Sequence, residues 1–242
     1  MSWRQRGVRQ VQGGEASFER VLAAAARLQS LVPDAVLVGG TASALYARHR
    51  VSFDDDHVLA DLAGRFDDVL ATLEASDGWV TERVRPGRVI LGNLDGIETG
   101  VLQLRRSRPL EVVELTVEGH TVRVPTDAEM VRVKAWMVVW RNATRDFLDV
   151  VALAGHLGRP VAAATLARMD DYYADQREGG RGITTQLVRA LADPRPYDLD
   201  LVDLAAYRRL VEPWRDWDAV RAASTGLSGA ILGCVAEEEE NP

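Results

Sequence analysis

The run Ala35-Val36-Leu37-Val38 narrows the fold more than any other segment, because four successive apolar residues leave neither face of a strand for water. A strand of this kind sits inside a layered structure, with elements packed above and below it. Pro33 and Asp34 precede it, and Gly39-Gly40 follows with the backbone freedom of a tight turn. Upstream, Ser17 to Leu31 reads as a helix: Ser17 suits an N-cap, and Val21, Leu22, Ala25 and Leu28 recur at helical spacing. Downstream, the pattern predicts a helix over Ala42–Arg48, a strand over Val51–His57 and a helix over Leu59–Ala75.

From Trp79 to Val124 the periodicity turns to β. Five strands are predicted, at Trp79–Arg83, Arg88–Leu91, Ile97–Leu104, Leu110–Val117 and Thr121–Val124, with Gly, Pro and Asp between them. After Pro125 the chain reads as nearly all helix, at 126–142, 144–157, 160–174, 182–192, 200–212 and 215–233. The expected class is therefore α/β (α+β), with a mixed-sheet domain at 15–125, an α-helical domain at 126–234 and flexible ends at 1–14 and 235–242.

Composition excludes several function classes. No apolar run is expected to reach the roughly 18 residues of a membrane span, and the basic N-terminus lacks the apolar stretch of a signal peptide. A single cysteine, Cys234, forms no internal disulfide and fits a reducing cytoplasm. The net charge of -7 does not advertise a polyanion-binding surface, although Glu237 to Glu240 supply four of the acids.

The strand after the glycine pair carries the chemistry. Asp54 and Asp56 stand at i and i+2, so they share one face while Asp55 points to the other. Two crowded carboxylates call for a cation, and hard oxygens suit Mg²⁺ or Mn²⁺. Gly39-Gly40 alone is equally a strand-to-helix turn, and no G-x-G-x-x-G dinucleotide fingerprint follows it. A second signal lies in the cations: of 29 basic residues only Lys134 is lysine. Lys134 and Arg141 share one face of a helix whose Met130, Val133, Trp136, Met137 and Trp140 make it apolar almost all round, hence buried. A buried lysine needs an anion. Asp146 and Asp149 on the next helix supply one, as does a phosphate, and an ordinary ion pair accounts for the acids as well.

Gly39-Gly40-Thr41-Ala42, His49-Arg50-x-Ser52-x-Asp54-x-Asp56, Lys134, Arg141 and Arg145-Asp146-Phe147-x-Asp149 together resemble the AbiEii/AbiGii nucleotidyltransferase-like toxins, within the DNA polymerase β-type nucleotidyltransferase superfamily. The resemblance covers residues 35–156 firmly and the later helices loosely. It implies a polymerase β-like core that transfers NMP from an NTP to an RNA (tRNA) acceptor, as the toxin of a toxin–antitoxin pair. Asp54 and Asp56 would hold the metal; Gly39, Gly40, Thr41, Arg50 and Ser52 would hold the triphosphate, with Arg50 alternatively bracing Asp54. Lys134 would neutralise the phosphates, Asp146 would belong to the catalytic set, and Asp149 would act as orienter or base. The superfamily's two-metal members carry a third acid on a later strand. Of Glu98, Glu111 and Glu114, only Glu114 lies in an apolar-acid-apolar setting, so it is the expected third ligand.

For the acceptor, Arg83, Arg85, Arg88, Arg105, Arg106 and Arg108 offer an RNA footprint, or a solvated sheet edge. His49, His57, His120 and His156 show no zinc spacing. Two other readings stay open: a catalytically silent nucleotide-binding or interaction module, and a transferase acting on an aminoglycoside-like small molecule.

Overall fold

The computed structural model describes residues 17–240, so the expected loose segment 1–14 lies outside the described residues. Ser17 caps α1 (Phe18–Leu31), its hydroxyl accepting from the Arg20 N–H at 3.3 Å. The apolar run forms β1 (Val36–Val38), buried throughout, which leads directly into α2 (Gly39–Ala47). The helix thus starts on the glycine pair rather than at Ala42, with Gly39 at φ 75° making the turn.

β2 (Asp54–Leu59) begins later than predicted. Residues 49–51 are bound elsewhere: the Val51 N–H donates to the Arg208 carbonyl at 2.9 Å, and the Val211 N–H donates to the His49 carbonyl at 2.9 Å. Because Leu59 completes β2, the next helix, α3 (Phe66–Glu74), is shorter than expected. All five strands of the β region are present, as β3 (Trp79–Arg85), β4 (Val89–Leu94), β5 (Ile97–Gln103), β6 (Val112–Val117) and β7 (His120–Pro125). The helical half comprises α4 (Asp127–Arg141), α5 (Thr144–Leu157), α6 (Arg159–Ala167), α7 (Met169–Tyr172), α8 (Ile183–Ala192) and α9 (Trp217–Glu240). The helix expected over 200–212 does not form. Two 3₁₀ turns at Leu199–Leu201 and Tyr207–Arg209 replace it, and Arg208 and Arg209 take left-handed φ values of 42° and 52°. The backbone bonds to residues 49 and 51 override the local apolar spacing.

A five-stranded sheet runs β1-β2-β5-β4-β3, with β2 and β5 parallel and the remaining pairs antiparallel; β6 and β7 form a separate hairpin. One face packs on α1 and α3 through Leu28, Val32, Leu62, Phe66, Leu73, Ile90 and Leu94. A larger core gathers Leu22, Leu37, Ala42, Val122 and Val124 with Met130, Phe147, Leu153, Leu187 and Ile231, so it crosses the expected boundary at residue 125. The architecture is mixed α/β with a helical C-terminal half. Residues Trp217–Glu237 of α9 are long and apolar enough to cross a membrane, at mean hydropathy 1.3, contrary to the sequence expectation. In the fold, Val220, Leu227 and Ile231 of this helix are buried where it meets α6 and α8.

Candidate functional site

β2 sorts its acids by alternation. Asp55 and His57 face the core with Leu59, whereas Asp54 and Asp56 face the other way and are part-buried. A Cβ on Gly39 would lie 3.3 Å from the Asp56 carboxylate, and one on Gly100, its partner on β5, would lie 3.0 Å from it. The Asp56 side chain therefore occupies a cradle that two glycines leave open. The donor set is two hard carboxylates beside open backbone, which suits a divalent cation completed by phosphate and water oxygens. Among the described residues, no group of three or more His, Cys, Asp or Glu side chains is arranged to hold a metal by itself.

The turn above the acids is equally tight. A Cβ on Gly40 would collide with the Ser52 hydroxyl at 2.4 Å and the Arg50 guanidinium at 2.8 Å. Thr41 is buried and donates through Oγ1 to the Asp54 carbonyl at 2.6 Å, pinning α2 to β2. The N-terminus of α2 has no side-chain cap, so its first N–H groups are left to other acceptors. Ser52 Oγ donates to Asp54 Oδ1 at 2.7 Å, and Arg208 Nη1 reaches the same oxygen at 3.3 Å. Burial alone would raise the Asp54 carboxyl, but Arg208, the Ser52 hydroxyl, Arg50 and Arg145 together lower it to about 2.

Behind the turn lies a buried ion cluster. Asp149, fully buried, accepts from His49 Nε2 at 2.7 Å, from Arg50 Nε and Nη2 at 2.9 and 3.0 Å, and from Lys134 Nζ at 2.8 Å. Burial opposes ionisation of Asp149, yet Arg50, Lys134 and His49 hold its carboxyl well below the ordinary range. Burial pulls the Lys134 ammonium below its usual value, with Asp149 acting against that pull. Two almost fully buried cations thus share one carboxylate, leaving surplus positive charge next to Gly40 and Ser52. Asp146 is also fully buried and takes a two-pronged bond from Arg141, whose guanidinium is close enough to feel the Asp56 charge.

The structure accordingly brings together Gly39, Gly40, Thr41, Arg50, Ser52, Asp54, Asp56, Lys134, Asp146 and Asp149. Arg50 braces Asp149 rather than Asp54. Glu114 is not among them: it lies on β6, opposite Arg123 in the separate hairpin, so the expectation of a third ligand there is corrected. The acid that register brings beside the pair is Glu98, opposite Asp54 on β5 and on the same face. Its Glu-Thr-Gly context hid it, because a strand covered only partly on that face lacks the flanking apolar residues. His49 and Arg208 were also missed as site residues. His49 adjoins the motif, whereas Arg208 sits 154 residues from Asp54 within a segment that mimics a helix.

The six arginines of the proposed footprint divide. Arg83 and Arg85 lie on edge strand β3, and Arg88 lies in the turn before β4, its N–H donating to the Arg85 carbonyl. Arg106 is buried, paired with Glu129 and bonded to the Arg108 and Pro109 carbonyls. Arg105 and Arg108 stack over Trp140 and Tyr172, each 3.8 Å from the ring centroid. Half of the group therefore ties the loop after β5 to the helical half.

No family profile matches the chain. Over 136 residues, 56% of this chain, it is 32% identical to the mycolic acid-containing lipids exporter MmpL11 of Mycolicibacterium smegmatis. Over 129 residues, 53% of this chain, it is 34% identical to the heme uptake protein MmpL11 of Mycobacterium tuberculosis. The chain spans only 14% and 13% of the lengths of these curated relatives. Among solved structures, it is similar to a proposed nucleotidyltransferase from H. pylori, with TM-score 0.49 and 16% identity, covering 93% of this chain and 98% of that one. An antigenic nucleotidyltransferase-like protein from Paracoccidioides brasiliensis gives TM-score 0.43 and 14% identity, covering 70% and 91%. These structural likenesses are too loose to carry a shared fold.

Proposed function

We propose that this chain is an Mg²⁺-dependent nucleotidyltransferase that takes an NTP as substrate. The observation that carries the reading is the Asp54–Asp56 pair, set on one face of β2 in a glycine-lined cradle under the N-terminus of α2. Asp54 and Asp56 would hold the Mg²⁺, whose charge would offset that of the nucleotide phosphates and favour ionisation of the attacking hydroxyl. The chain's own part is electrostatic. N–H groups at Gly39–Gly40 cradle phosphate oxygens, joined by the Ser52 hydroxyl once it turns away from Asp54, while the surplus charge of Arg50 and Lys134 stabilises the pyrophosphate as it leaves. Asp149, ringed by three donors, acts as an orienter of that charge, since taking a proton would break its ion pairs. From the sequence resemblance, the acceptor is an RNA (tRNA), the partner a cognate antitoxin and the setting the cytoplasm.

A second reading is a nucleotide-binding module without turnover. It is favoured by the bonds that hold Lys134 on Asp149 and Arg208 on Asp54, and it suits a chain that matches a short stretch of far longer transport proteins. Incubation with Mg²⁺, each α-labelled NTP and total RNA separates the two. Label in a tRNA-sized band, reduced at least about 100-fold by Asp56→Asn at unchanged melting temperature, supports transfer. Nucleotide binding without transfer from any NTP supports the silent module, and absence of both binding and transfer defeats the site itself.

A further inference from the structure

The segment that was expected to be a helix does something more specific at the candidate site. Two backbone bonds bracket it: the Arg208 carbonyl accepts from the Val51 N–H and the Val211 N–H donates to the His49 carbonyl, each at 2.9 Å. This clasp seats residues 208–211 against the three residues just before Ser52, and so beside the phosphate turn. Within it, Arg208 and Arg209 adopt left-handed backbone conformations, which side chains with a Cβ rarely take and which a surrounding structure must enforce. The result is that a guanidinium from the far end of the chain meets Asp54 Oδ1 at 3.3 Å, with the Arg208 side chain 32% exposed and so open to solvent on one side. That oxygen already accepts from Ser52. Arg208 therefore sits where a cation shared with Asp54 would sit, and its partial exposure lets it swing away.

Resting on the nucleotidyltransferase reading, we infer that Arg208 is an exchangeable cation for Asp54: it competes with the metal when no nucleotide is bound and turns to a phosphate oxygen of the triphosphate when the metal–nucleotide arrives. The same charge thus opposes binding of the metal alone and favours binding of the metal–nucleotide complex. A guanidinium suits both duties, because its planar fork matches carboxylate and phosphate alike.

The test reads metal affinity rather than turnover. Free Mn²⁺ is counted by electron paramagnetic resonance for the full chain and for Arg208→Gln and Arg208→Lys, first with Mn²⁺ alone and then with Mn²⁺ plus a non-hydrolysable NTP analogue. Arg208→Gln is expected to bind Mn²⁺ alone about three- to tenfold tighter, and the Mn²⁺–analogue more weakly by a similar factor, with Arg208→Lys between. Structural damage lowers both affinities, so opposite signs are diagnostic. Equal or weaker Mn²⁺ binding by Arg208→Gln overturns the inference. Asp56→Asn in the same titration tests the parent reading separately: if it binds Mn²⁺ as well as the unaltered chain does, the metal site itself is wrong, whatever Arg208 does.

Discussion

Asp149 shows what single side chains contribute here. It is fully buried, and Arg50, Lys134 and His49 all converge on it, so its loss would leave two buried cations without their carboxylate. Asp149→Ala is expected to destabilise the chain by about 3–5 kcal/mol in urea titrations, whereas paired removal with Lys134→Met should cost less than the sum of the two. Asp54 gives a pH signature. Its folded value of about 2 lies below the ordinary 3.8, so it contributes stability above 3.8 that is lost as pH falls toward 2, about 2 kcal/mol in all. Arg208→Gln should flatten that acid limb in equilibrium unfolding. At this scale, the meeting of Lys134 with an acid on the next helix was legible, because an apolar helix cannot bury an ammonium alone. Arg208 was not, since no local pattern marks a contact made across 154 residues.

β2 is the element in which both faces matter. Its inner face buries Asp55 and His57, and neither Asp55 carboxyl oxygen nor either His57 ring nitrogen has a hydrogen-bond partner. The Thr99 hydroxyl, opposite Asp55 on β5, donates to the Ile97 carbonyl instead at 3.1 Å. Burial, opposed by the neighbouring Thr99 hydroxyl and added to by the charges of Asp56 and Asp54, pushes the Asp55 carboxyl well above its ordinary value. The folded chain therefore keeps a proton that the unfolded chain releases above 3.8, which costs stability at neutral pH. Asp55→Val should raise the urea midpoint at pH 7 by an amount equivalent to about 1–3 kcal/mol, and the gain should shrink as pH falls toward 4. His57 acts in the opposite direction. Burial lowers it from 6.5 to about 3, so stability is lost as pH falls between those values, and His57→Phe should remove that loss. Period-two alternation made the two faces of β2 readable from the chain alone. Its starting point was not, because residues 49–51 are claimed by the distant 208–211 segment.

The molecule as a whole packs across its apparent midpoint. The β region and the helical region were both apparent from periodicity, and the mixed α/β class follows from them. What periodicity does not reveal is that Leu22, Leu37 and Val122 share a core with Phe147 and Ile231, or that Arg106 and Glu129 join the loop after β5 to α4. Unfolding followed by tryptophan fluorescence and by far-ultraviolet circular dichroism should accordingly give one coincident transition, and a chain ending at residue 125 should lack the near-ultraviolet signal of fixed aromatic packing. The long-range placement of Arg208 has a further consequence during translation. A ribosome delivers the acid pair early, Lys134 and Asp149 later, and the guanidinium that meets Asp54 only after most of the chain has emerged. Arg50, Arg141 and Arg145 are made before it, so a nascent chain holds its acid pair with only part of its counter-charge until Arg208 arrives, and the site takes its final electrostatic form late in translation.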